Sequence, residues 1–160
     1  METSQQSSLM KELEDLITKG NAHVTFEDAV AGLPPAMRTM VPENLPYSIW
    51  QLVEHVRIAQ KDILEFSSSE DYEALDWPDD YWTPAVENVS DSAWEQSLAE
   101  IRSDRNRFLE LVKNEKHDLY AAIPWGNGQN LLREAMLIAD HNAYHTAEIV
   151  VIRRLLKCWK

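Results

Sequence analysis

The chain has 160 residues, 44% of them hydrophobic, with 27 acidic against 15 basic side chains and a formal net charge of −12. That length suits one domain built on one core, which buries roughly 70% of the surface an unfolded chain exposes and needs no covalent staples. The acidity opposes nucleic-acid phosphates and anionic lipid, so neither nucleic acid nor a membrane is an expected partner.

In chain order, METSQQSSLM has no basic start and no apolar stretch, so no signal peptide is expected there. A helix is predicted over about Ser8 to Lys19, with Leu9, Leu13, Leu16 and Ile17 at helical spacing and Gly20 as its stop. "TFEDAVAGLP" reads as a shorter helix, with Thr25 and Asp28 at capping-box spacing. Gly32-Leu33-Pro34-Pro35 ends it.

The second long helix has the clearest start. Ser48 is a good N-cap, Gln51 stands three residues on, and Tyr47 and Leu52 occupy the two staple positions. Ile49, Leu52, Val53, Val56, Ala59 and Ile63 form its apolar stripe, which fades near Phe66. A long loop containing "DWPDDYWTPAVENVS" follows.

The third long helix is predicted to begin near Ser92, with Glu95 as capping-box partner and Trp94, Leu98, Ile101, Phe108 and Val112 facing inward. "IPWGNGQN" is a turn, and Asn130 caps a last helix over about Leu131 to Leu156. No apolar run approaches the 18 or so residues that span a bilayer. Nothing alternates with strand period. The expected fold is therefore all-α, an antiparallel four-helix bundle with a long crossover-type loop. The basic groups Arg102, Arg105, Arg107, Arg153, Arg154 and Lys157 read as solvated faces. Cys158, the single cysteine, can close no internal disulfide, so a reducing cytoplasm is the expected compartment.

His141 and His145 stand four residues apart in the last helix. Residues at that spacing lie about 40° apart around the axis and one turn apart along it, so both imidazoles can reach one point. They share a face with Leu137, Ile138, Glu148 and Ile152. Asn142, not Glu, follows the first histidine, so this is not the zinc-protease H-E-x-x-H pattern. His55 sits at the border of the second helix's apolar stripe. If those two helices are neighbours, three imidazoles can meet, as bundle metal sites require. By spacing alone a metal site and ordinary buried histidines are about equally favoured. His23 reads as a cap or surface residue ahead of a group near the site, and His117 as a cation near the third helix's C-terminus.

The runs "HVTFEDAVAGLPP", "LPYSIWQLVEHVRIAQKDILEF" and "IPWGNGQNLLREAMLIADHNAYHTAEIVVIRRLL" together resemble the DinB/YfiT-like superfamily, from about Leu13 to Trp159. That resemblance implies a four-helix bundle, often a homodimer, with a divalent metal ion on three histidines. By position those are His55, His141 and His145, and the implied metals are zinc and nickel. For activity it implies a metal-dependent transferase or hydrolase acting on a small molecule, with thiol-dependent chemistry among relatives. The alternative is a non-catalytic metal-binding or stress-related helical dimer. The candidate for a catalytic base is Glu148. Glu148 is the nearest acid on the histidine face, and its simpler reading is a carboxylate that orients a ligand imidazole. Asp140 projects away, and Glu134 lies two turns off. Trp77, Trp82 and Trp125 fall in loops, where they either wall a pocket or plug the bundle end, whereas Trp50 and Trp94 read as core.

Overall fold

The computed structural model describes residues 3–159, and among them there is no strand. Helix α1 covers Thr3–Lys19, α2 Phe26–Val30, α3 Ile49–Ser68, α4 Asp91–Lys113 and α5 Leu131–Leu155, with 3₁₀ turns at Pro35–Met37 and Asp79–Tyr81.

Helix α1 starts five residues before the expected Ser8. The added segment holds no Gly or Pro, and extending a helix costs far less than nucleating one. Leu13 and Ile17, 40° apart, are buried, whereas Leu16 is left on the flank, exposed. Gly20 takes φ +65°, where a Cβ would stand 2.8 Å from the His23 carbonyl oxygen, so only glycine fits.

The caps of α2, α3 and α5 lie at the expected residues. Asp28 completes the Thr25 box as Glu would, with Asp28 N–H on Thr25 Oγ1 at 3.0 Å. Gln51 N–H reaches Ser48 Oγ at 3.3 Å while Ser48 N–H reaches Gln51 Oε1 at 3.1 Å. Arg133 N–H is held by Asn130 Oδ1 at 2.9 Å. The start of α4 differs. Its N-cap is Ser90, not Ser92, with Ala93 N–H on Ser90 Oγ at 3.1 Å, and Glu95 is exposed and closes no box. Two forces select the earlier cap. Buried Arg38 takes the Asp91 carboxylate at 2.7 Å, and Val89 and Trp94, the staple positions of a Ser90 cap, join one apolar cluster.

The contacts of α3 set the architecture. Against α4 they run Trp50 to Trp94, Glu54 to Ser97, Arg57 to Glu100 and Gln60 to the Ile101 carbonyl, so these two helices climb in the same direction. Against α5 they run oppositely, Tyr47 to Glu148 and His55 to His141. The antiparallel expectation thus fails for the α3–α4 pair. The crossover, residues 69–90, makes this possible by carrying the chain back along α3, a span of about 30 Å.

Two apolar clusters fill the interior. One gathers Phe26, Ile49, Leu52, Val53, Trp94, Ile149 and Ile152, and the other Leu13, Ile17, Ile63, Leu64, Phe108, Leu131 and Ile138. The polar residues His55, Gln60, Asn142 and His145 come from the stretches of α3 and α5 around and between those clusters. Arg153 is no solvated group. It is 5% exposed and gives its guanidinium hydrogens to the carbonyls of Ala29, Ala31 and Cys158 at 2.6 to 3.0 Å, satisfying the open end of α2. Arg105 likewise turns inward to Glu27 at 2.6 Å.

Candidate metal centre

Helix α3 carries His55 in its second turn, and α5 carries His141 and His145 one turn apart. The opposed course of α3 and α5 brings these turns level. Ring centroids are 4.9 Å apart for His55 and His141, 4.6 Å for His55 and His145, and 4.4 Å for His141 and His145. One ligand-capable nitrogen from each lies within 4.8 Å of the others. His55 Nε2 and His141 Nε2 stand 3.1 Å apart.

Two of the rings have their tautomers fixed by their neighbours. His55 Nδ1 lies 2.9 Å from the Tyr81 carbonyl oxygen, and His145 Nδ1 lies 2.7 Å from Glu148 Oε2. A carbonyl can only accept, so the His55 proton sits on Nδ1, and the carboxylate selects the same form of His145. Both rings therefore turn an unprotonated Nε2 toward the cluster. Glu148 also accepts the Tyr47 hydroxyl, so a tyrosine orients the carboxylate that orients the histidine.

Electrostatics keeps the rings neutral. Burial pushes His141 down to about 4, helped by the neighbouring His145 and His55. Burial also lowers His55, against the opposing bond to Tyr81, and lowers His145, against the pull of Glu148. Burial, then the bond to Glu148, raises Tyr47, which stays a hydroxyl. Three close neutral imidazoles, with the Nε2 lone pairs of His55 and His145 turned to the cluster, could hold a cation and are a poor anion site.

Aromatic rings enclose it. Trp82 lies flat on His55, with centroids 4.0 Å apart and planes 3° apart, and Tyr47 stacks on Trp82 at 5.3 Å. Trp77 meets His55 edge-on at 6.4 Å, and Tyr144 meets His145 at 5.0 Å, both largely exposed. Of the three loop tryptophans, two reach the histidines. Trp125 does not; its indole donates to the Phe66 carbonyl at 2.7 Å, three turns beyond His55 on α3.

The remaining candidates fall elsewhere. His23 bonds the Val24 carbonyl, and His117 caps the Leu111 carbonyl at the end of α4. Asp140 is exposed, and Glu134 is buried against Arg133 at 2.7 Å. Sequence reasoning gave Tyr47 only a staple role and gave Tyr81 none. No local signal marks Tyr81, because what it supplies to His55 is a backbone oxygen.

The donor set fits a divalent ion. Two nitrogens each bound at roughly 2.0–2.1 Å to one tetrahedral ion stand about 3.3 Å apart, close to the His55–His141 separation. Three close imidazoles can together hold such an ion. No curated protein and no solved structure matches the chain. A family model described as the DinB superfamily matches residues 21–149, a span that contains all three histidines and the crossover. With most of its length matched and its histidines assembled, the chain belongs to the DinB superfamily.

Proposed function

We propose that this protein holds a divalent metal ion, zinc or nickel, on His55, His141 and His145, and that it acts on a small molecule as a metal-dependent transferase or hydrolase. The observation that carries this reading is the commitment of two Nδ1 atoms to Tyr81 and Glu148, which leaves lone pairs converging from two helices. An ion on three protein ligands keeps an open position and supplies Lewis acidity or a lowered pKa to water or a thiol bound there. The chain's own part is to hold the rings in the metal-binding tautomer through Glu148 and Tyr81 and to shield His55 behind Trp82. A low-molecular-weight thiol as co-substrate is part of the proposal.

The four long helices are read as the bundle of the family, in one domain. The lone cysteine favours the cytoplasm. A homodimer is proposed through α5, which carries apolar residues on both faces. Besides its buried stripe it exposes Met136, Tyr144, Val151 and Leu155. Exposed apolar side chains grouped on one helix mark a contact surface, here shared with exposed Arg133, Asp140 and Arg154.

Metal analysis tests the reading. The native protein is expected to retain about one equivalent of zinc or nickel after gel filtration, and folded His141→Ala and His55→Ala variants are expected to lose it. Equal metal in all three would show adventitious binding. The depth of His55 and His145, 2% and 6% exposed, favours a second reading in which the ion is structural and no reaction occurs. Cobalt substitution separates them: an open position changes its absorption on adding imidazole, and a closed one does not.

A further inference from the structure

Three residues on one face of α3 grip one short piece of the crossover. Asp62 stands seven residues, or two turns, beyond His55, and Gln51 stands one turn before it. The Tyr81 hydroxyl donates to Asp62 Oδ2 at 2.7 Å. The Tyr81 carbonyl accepts from His55 Nδ1 at 2.9 Å. Gln51 Nε2 donates to the Thr83 carbonyl at 3.1 Å. Trp82, held between these anchors, is the ring that lies flat on His55. The carboxylate of Asp62 also accepts the Tyr72 hydroxyl at 2.9 Å, on its other oxygen.

Each contact has a distinct consequence. A carbonyl on a free loop would sample many positions relative to an imidazole, and the ring would rotate and exchange tautomers. Tyr81 is tied at both ends of the residue, its hydroxyl to Asp62 and its carbonyl to His55. Fixing the hydroxyl therefore restricts where the carbonyl can stand. Burial and the Asp62 bond raise Tyr81 far above neutrality, so it remains a donor. Tyr72 uses the same carboxylate, but its ring packs edge-on against Phe66, centroids 5.3 Å apart.

We propose that Asp62 and Tyr81 form a latch that positions His55: the Asp62 carboxylate fixes the Tyr81 hydroxyl, and the Tyr81 carbonyl in turn holds the His55 proton on Nδ1 and aims Nε2 at the other two rings. Asp62 and Tyr81 are positioning residues that touch no ion. The inference rests on the metal reading for its consequence, but the state of the His55 ring is observable without metal.

Two measurements on three proteins decide it. Wild type, Tyr81→Phe and Tyr72→Phe each lose at most one hydroxyl and keep their rings, and thermal melting first establishes that each is folded. Zinc affinity is measured by competition with a chromophoric chelator. Tyr81→Phe is expected to bind zinc about 10- to 100-fold more weakly, the usual effect of losing a group that orients a ligand histidine. Tyr72→Phe, which removes an equal hydrogen bond from the same carboxylate, is expected to stay within about threefold of wild type. In the metal-free proteins, the His55 Nδ1–H resonance is expected to be slow to exchange in wild type and Tyr72→Phe, and lost to exchange in Tyr81→Phe. Equal zinc affinity in the two variants, or a protected His55 resonance in Tyr81→Phe, would overturn the latch. If wild type binds neither zinc nor nickel, the metal reading fails, while the His55 resonance still decides the latch. Should Tyr81→Phe not fold, Asp62→Asn takes its place, with the same result expected.

Discussion

At the scale of single residues, the three histidines are held neutral by burial, and that has a pH consequence. An imidazole whose folded value lies below about 6.5 takes its proton more readily in the unfolded chain. Such a group leaves stability untouched above 6.5, and its burial weakens the fold as the pH falls below that value. For His141 the loss continues until about pH 4, where the folded form also protonates. Urea unfolding of the metal-free protein is therefore expected to show a falling midpoint between pH 6.5 and about 4, with a slope of up to about 1.4 kcal/mol per pH unit from one imidazole. A His141→Ala variant is expected to show a shallower slope, and an equal slope would place the titrating group elsewhere. His141 and His145 were legible as a pair because a helix makes i and i+4 spacing a statement about direction, whereas adding His55 needed neighbouring helices and the resemblance. Tyr81 was not, since its useful atom is common to every residue. Nor was the second role of Gln51, whose side chain serves the Ser48 cap with one end and the Thr83 carbonyl with the other.

At the scale of elements, helix starts were readable where one residue alone could cap. Ser48 and Asn130 have no rival beside them, and the structure uses both. Ser90, Asp91 and Ser92 are three capping residues in a row, and local sequence does not choose among them. Arg38, fifty-three residues away in the chain, chooses by drawing off Asp91. The apolar pair Val89 and Trp94 agrees with that choice, a signal the expected Ser92 cap overlooked. Ser90→Ala is accordingly expected to cost about 1 kcal/mol in thermal or urea unfolding, and Ser92→Ala within about 0.5 kcal/mol of nothing. The reverse order would return the cap to Ser92. Helix α1 shows the other limit. Its described start lies five residues before the expected Ser8, in a polar stretch that contains no breaker.

At the scale of the whole molecule, periodicity revealed the all-helical class but not the direction of each helix. Direction depends on the crossover, and a long loop is compatible with either sense of the next helix. Only the contacts from Trp50 through Gln60 to Trp94 through Ile101 settle it. The exposed face of α5 is likewise invisible to a reading that counts apolar residues without knowing what covers them. Val151 and Leu155, 48% and 55% exposed, lie one turn apart on that face. If α5 is the dimer contact, Val151→Glu together with Leu155→Glu is expected to shift the protein from dimer to monomer in sedimentation while leaving its helicity unchanged. Sedimentation as a monomer before mutation would remove this contact from the account.

The three-histidine cluster and its supports draw on α3, α5 and the crossover, segments that an unfolded chain holds far apart. Any cation that seats there recognises the assembled protein and has little to grasp in its absence. By mass action such an ion adds about 4 kcal/mol of resistance to unfolding when its free concentration is a thousand times its dissociation constant. On the proposed reading, the durability of this chain depends on the supply of ion around it, and chelation is expected to act on it as heat does.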